Sequence, residues 1–197
     1  MRLWNGLLVL TAVLAWGTTS SGLAGVYAID PAHTHVGFTV QHIFSKVLGQ
    51  FKTFDGVISF DEKEPSADSI SVTIQTSSID TNNEIRDKHL QSPDFFDAAK
   101  NPTITFVSVK VKARGDKKYK VEGNLTLHGV TKRVIFTMEY LGQDVDPYGN
   151  QVAGFSANTT IDRRDFGLVW NKTLASGNLL VGNNVDIDLE VSANLKK

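Results

Sequence analysis

The chain has 197 residues, room for one ordinary domain, and its 41% hydrophobic and 21% charged content excludes a disordered tail. Twenty Lys and Arg against 21 Asp and Glu leave a net charge of −1, without the basic excess of a duplex-binding protein, so no nucleic-acid partner is expected. No cysteine is present, which excludes disulfides, thiolate metal sites and covalent c-type haem.

The first predicted element is a leader. Arg2 precedes an apolar run from Leu3 to Trp16, and small residues follow, with Gly22 and Ala24 in the −3 and −1 positions. This layout predicts a secretory signal peptide over residues 1–24, cleaved after Ala24, because the run falls short of the ~20 residues needed to span a bilayer. Its removal takes away Arg2 and no acid, so the mature charge is −2. No later stretch could cross a bilayer as a helix, and a cysteine-free exported chain fits the bacterial periplasm. Three glycosylation-type triplets, at Asn124, Asn158 and Asn171, are silent in such a host.

Period-two alternation then runs through residues 25–197, which read as a single domain without linker or repeat. Val36, Phe38 and Val40 alternate with polar or small residues, as do Ile70, Val72 and Ile74. One helical interruption falls near residues 82–99. Thr81 and Glu84 have capping-box spacing ahead of Ile85–Gln91, and Ser92-Pro93 resembles the start of a second short turn. Alternation resumes at Thr103, with a phase slip between Phe106 and Val107 that suggests a bulge. Tyr119, Val121, Leu125 and Leu127 form the next apolar set, followed by Val134, Phe136, Met138 and Tyr140. Val185, Ile187, Leu189, Val191 and Ala193 alternate with polar residues near the end. Turn residues punctuate these runs at Gly129, Asp146–Asn150 and Gly182–Asn184. About eight antiparallel strands result, which can close as a barrel or pack as a sandwich. The class is all-β.

Candidate chemistry is sparse. His33 and His35 share a strand face and could share a metal, whereas His42 has the opposite parity and leaves the pair without a third ligand. Hydrogen-bonded strand-end histidines are the favoured reading, and no metal or other cofactor is expected. Arg86, Lys88 and His89 on the helical interruption read either as a polar clamp at a cavity mouth or as a solvated helix face with Ile85 and Leu90 turned inward. Arg163-Arg164-Asp165-Phe166-Gly167 reads either as an anion contact or as an internal ion pair. No phosphate loop, His-Glu-x-x-His or Gly-x-Ser-x-Gly motif occurs, so nothing calls for catalysis.

As an ordered set, the motifs are more specific. Asp30-Pro31-Ala32-His33, Val36 to His42, Gly49-Gln50-Phe51, Phe54-Asp55-Gly56 and Phe60-Asp61 come first. Arg86 to Leu90, Asp94-Phe95-Phe96, Pro102 to Phe106, Gly123 to Lys132, Ala153-Gly154-Phe155 and Arg164-Asp165-Phe166 follow. Together they resemble the YceI family of exported, lipocalin-like proteins over residues 26–195, with His35 additional to the pattern. The resemblance implies an eight-stranded antiparallel barrel whose apolar face lines a cavity for polyisoprenoid or similar long-chain amphiphiles. It makes a non-catalytic periplasmic carrier the expected function; a metal-assisted enzyme using His33 and His35 is the alternative, and a homodimer stays open.

The expected cavity wall comprises Phe38, Val40, Ile58, Phe60, Ile74, Phe106, Leu125, Leu127, Phe136, Met138 and Phe155. Arg86, Lys88 and His89 are the head-group candidates. Strands of about ten residues tilted roughly 40° would enclose a tunnel of ~25 Å.

Overall fold

The computed structural model describes residues 24–196. All but the last residue of the expected signal peptide therefore lies outside the described residues.

Eleven strand segments form one antiparallel sheet that closes on itself. In chain order they are β1 (Gly25–Ile29), β2 (His35–His42), β3 (Ser45–Phe51), β4 (Phe54–Phe60), β5 (Ser69–Gln75) and β6 (Ile79–Asp80). After helix α1 (Glu84–Gln91) come β7 (Thr103–Ala113), β8 (Lys118–Leu127), β9 (Val130–Val145), β10 (Gln151–Asp162) and β11 (Val181–Leu195). Three pairs of segments are successive halves of broken strands. Both β1 and β2 lie along β11, while β3 and β4 pair with β2 and β1 in turn. Both β5 and β6 follow on β4 and β3. The barrel thus has eight staves, and the Tyr27–Leu195 to Ile29–Ala193 register closes it.

The break between β1 and β2 has a local cause. Pro31 removes a backbone donor between β1 and β2. The Thr34 hydroxyl replaces the missing rungs, donating to the Ser192 carbonyl and accepting from the Ser192 N–H, each at 3.1 Å. Beyond β6 the chain leaves the wall for α1 and a series of turns, then returns as β7 against β5. This gap lies at the barrel end that also carries the β2–β3 and β8–β9 hairpins and the 3-10 turn Arg163–Phe166. His128 and Gly129 both adopt positive φ, the geometry of a two-residue hairpin turn that follows sheet twist.

The opposite end is filled by rings. Phe60 lies 4.7 Å from Tyr140 and 5.2 Å from Phe155 between ring centres, with Tyr119 at 5.4 Å. Burial pushes the Tyr140 hydroxyl up to about 12. A register shift at Gly154/Phe155 in the β9–β10 ladder lets Tyr140 and Phe155 both point inward there.

Sequence expectations and structure differ in three places. Asn83, not Thr81, caps α1, its side chain accepting the Arg86 N–H at 3.0 Å. The helix ends at Gln91 and the stretch after Ser92 forms turns, so the helical interruption stops short of residue 99. The β7 bulge falls between Ser108 and Lys110 instead of at Phe106/Val107, so Phe106 keeps the inward parity of Ile104. A Cβ at Gly123 on β8, diagonal to Phe106 in the ladder, would collide with the Phe106 ring, which is why a glycine sits beside that aromatic.

Candidate functional site

A cavity of about 350 Å³ occupies the barrel between the aromatic floor and the α1 end. Alternation builds its wall: Val36, Phe38 and Val40 from β2, Phe106 from β7, Leu125 and Leu127 from β8, Phe136 and Met138 from β9. The last strand supplies Val185, Ile187, Leu189 and Val191. Of the expected wall residues, Phe38, Val40, Ile58, Ile74, Phe106, Leu125, Leu127, Phe136, Met138 and Phe155 border this space. Phe60 does not. It is buried behind Phe155 in the aromatic floor, one layer deeper than the open volume.

Polar groups on the lining concentrate where the wall opens. Helix α1 contributes Arg86, His89 and Leu90, the end of β2 contributes His42, and the segment after β10 contributes Arg163, Leu168 and Trp170. Lys88 is exposed and takes no part in the lining. Ile85, read from sequence as an inward residue, is 84% exposed, whereas Leu90 does turn inward. Among the described residues no Asp or Glu borders the cavity. Every ionisable lining group among the described residues is thus a histidine or an arginine.

The geometry around these groups is tightly specified. Arg86 Nε donates to the Thr81 hydroxyl at 2.7 Å, and its Nη2 donates to the Thr81 carbonyl at 2.6 Å. His89 Nε2 donates to Asp94 at 2.9 Å, and its ring meets Phe95 and Trp170 edge-on at 5.1 and 5.0 Å. Arg163 is only 4% exposed. Its Nε donates to the Gly182 carbonyl at 2.8 Å, and Nη1 donates to the carbonyls of Leu168 and Trp170. The neighbouring Arg164 instead pairs with Asp162 through Nε at 3.0 Å, holding that carboxyl down to about 2. The two arginines therefore divide the roles that sequence left open: Arg164 makes the ion pair, and Arg163 faces the cavity.

His33 and His35 have different surroundings. His33 Nδ1 lies 2.7 Å from Asp30 Oδ2 in the turn before β2, while His35 is exposed at the start of the strand. His42, of opposite parity, sits on the cavity side. Among the described residues no three His, Asp or Glu side chains gather as a metal site. Sequence reasoning missed Arg163 and Trp170 as cavity residues, although Trp170, a large aromatic in a Gly- and Asn-containing loop, was the available pointer.

Comparison with known proteins agrees with this architecture. The model of the YceI-like domain matches residues 27–193. The chain belongs to the YceI family. A UPF0312 protein of Pectobacterium atrosepticum is 47% identical over 165 residues, covering 82% of this chain and 85% of the relative. Protein YceI of Salmonella arizonae is 48% identical over 154 residues, covering 77% and 80%. Among solved structures, a Campylobacter jejuni YceI protein superposes with a TM-score of 0.68 at 37% identity, over 85% of this chain and 96% of that one. Burkholderia cenocepacia BcnA shares the fold, with a TM-score of 0.73 at 23% identity over 83% of this chain and 98% of that one. A polyisoprenoid binding domain from Saccharophagus degradans shares it too, with a TM-score of 0.67 at 17% identity over 86% and 98%.

Proposed function

We propose that this YceI-family barrel is a non-catalytic periplasmic carrier that holds a polyisoprenoid or another long-chain amphiphile, tail toward the aromatic floor and polar end at the α1 mouth. The observation that carries this reading is the distribution of polarity along one continuous cavity. Side chains of Phe, Val, Ile and Leu line its length, and ionisable groups occur only where it opens. The S. degradans domain of the same fold, a polyisoprenoid binder, is consistent with that use.

Magnitudes assign the parts. Burying a chain contributes about 0.8 kcal/mol per methylene, so ten buried carbons supply roughly 8 kcal/mol before ordering costs. A hydrogen bond to a charged head group adds ~1.5–3 kcal/mol. The tail sets affinity; the head sets orientation. Export follows from the predicted leader, and N-terminal sequencing of the secreted protein should begin at Gly25.

Native mass spectrometry with metal analysis on the purified mature protein tests the reading. A long-chain amphiphile released by organic solvent, one per chain, is the expected result. A chain that is empty of lipid, that fails to bind prenyl lipids after refolding and that carries a stoichiometric metal would overturn it in favour of the metal-assisted enzyme.

A further inference from the structure

The cavity has a charge imbalance that the carrier reading alone does not use. Its ionisable lining residues are His42, Arg86, His89 and Arg163, with no carboxylate among them. Arg86 is half-buried at the rim, where water hydrates its charge. Arg163 is different: it is only 4% exposed, and among the described residues each of its hydrogen bonds goes to a neutral backbone carbonyl. Asp162, the nearest acid in sequence, is committed to Arg164. Burial, opposed in part by the Asp162 carboxylate, pulls the Arg163 guanidinium below its ordinary value.

Three of the five guanidinium donors are spent on the carbonyls of Gly182, Leu168 and Trp170, all from Nε and Nη1. Nη2 makes no hydrogen bond among the described residues, and the residue borders the cavity. The three carbonyls fix the guanidinium in place but do not neutralise it. Asp162 attracts the guanidinium at a distance but is hydrogen-bonded to Arg164, so no carboxylate touches Arg163. A buried charge without a bonded counter-ion is costly, and the same low-dielectric setting strengthens its attraction to an arriving anion. Arginine is also suited to planar oxyanions, and here its orientation is set before any ligand enters.

We propose that Arg163 is the counter-charge for a terminal oxyanion, a carboxylate or a phosphate, on the polar end of the bound chain, so that this barrel selects anionic over neutral amphiphiles. The inference rests on the carrier reading and adds a head-group class to it. It also moves that role from α1 to the buried arginine after β10, leaving Arg86 to organise the helix.

The test uses delipidated mature protein and two matched pairs: farnesyl phosphate against farnesol, and oleate against oleyl alcohol, titrated by calorimetry below their aggregation concentrations. In the wild type the anionic member of at least one pair should bind about tenfold tighter or more. The phosphate pair alone, the carboxylate pair alone, or both showing this preference identifies which oxyanion the site takes. Arg163→Gln should bring the anionic and neutral members of each pair within about threefold of one another, and Arg86→Gln should keep the preference.

Should Arg163→Gln not fold, the side-chain Nε and Nη resonances of Arg163 in the wild type decide: farnesyl phosphate shifts them and farnesol does not. Equal affinity within both wild-type pairs overturns the inference and leaves the carrier reading standing. Loss of the preference in Arg86→Gln with its retention in Arg163→Gln overturns the assignment to Arg163. Failure of all four ligands to bind counts against the carrier reading itself.

Discussion

Arg86 clasps Thr81 from two sides, its Nε on the hydroxyl at 2.7 Å and its Nη2 on the carbonyl at 2.6 Å. Thr81 is buried where the chain leaves β6 for α1, and its hydroxyl and N–H also engage Asp87 Oδ1 at 2.5 and 2.9 Å. The clasp therefore ties the start of the helix to the last rung of a broken strand. Arg86→Ala removes both bonds and should destabilise the fold by roughly 1–3 kcal/mol. Urea denaturation at neutral pH checks it; an unchanged midpoint would show that the clasp contributes nothing.

Phe136 borders the cavity from β9 and packs edge-on against Phe106 at 5.2 Å. Phe136→Asp would set an unpaired carboxylate among apolar side chains. Lipid binding should be lost, while Phe136→Leu, which keeps the surface apolar, should retain it within about tenfold at ~1.5 kcal/mol or less for such a swap. Circular dichroism establishes that both variants fold. Wild-type binding by a folded Phe136→Asp protein would remove this residue from the ligand's path.

Asp68, in the loop after β4, has one carboxylate oxygen that accepts the Asp61 N–H at 2.7 Å and another that is buried without a partner. Desolvation, with Asp61 and Glu64 nearby, pushes its carboxyl from 3.8 up to about 6. The folded chain thus holds this proton across the interval in which the unfolded chain has lost it. Stability from this group falls as pH rises from about 4 to about 6, and the penalty is complete above that. Asp68→Asn keeps the bond to Asp61 and removes the charge, so it should raise Tm at pH ~7.5 and lose that advantage toward pH ~4. Melting curves across this range decide; a gain that does not depend on pH would refute the mechanism.

His33 is engaged by Asp30, and His35 is exposed at the start of β2. A His33→Ala/His35→Ala double variant should therefore bind prenyl lipids as the wild type does, and neither protein should carry a stoichiometric transition metal. Elemental analysis measures this directly. One tightly held zinc in the wild type, lost in the variant, would contradict it.

Period two made much of the wall legible in advance, because a strand sends alternate side chains to one face. That parity placed Val121, Leu125, Phe136 and Met138 on the inside, where they are buried. Depth along the barrel is not encoded in parity: Phe60 alternates inward like its neighbours, yet ring packing with Tyr140 and Phe155 makes it floor rather than wall. The Thr81–Glu84 spacing imitates a capping box, but Thr81 is held by Arg86 and Asp87, and the cap passes to Asn83. Arg163 was read with its neighbour as one charged cluster. Only the return of Leu168, Trp170 and Gly182 around it separates a buried cation from the surface pair Arg164–Asp162. Such long-range backbone contacts leave no local pattern.

The central claim is that an apolar tail fills the barrel from mouth to floor, and tail length is the variable that tests it most directly. Trp170 borders the cavity mouth and is the sole tryptophan once residues 1–24 are removed, so its fluorescence reports ligand entry. Titration with geranyl, farnesyl and geranylgeranyl phosphates should show affinity rising on the order of tenfold or more per added isoprene unit, at ~0.8 kcal/mol per buried carbon less ordering costs. The rise should stop when the chain reaches the Phe60–Tyr140 floor. Affinity independent of tail length, or no response of Trp170 to any member of the series, would contradict the account.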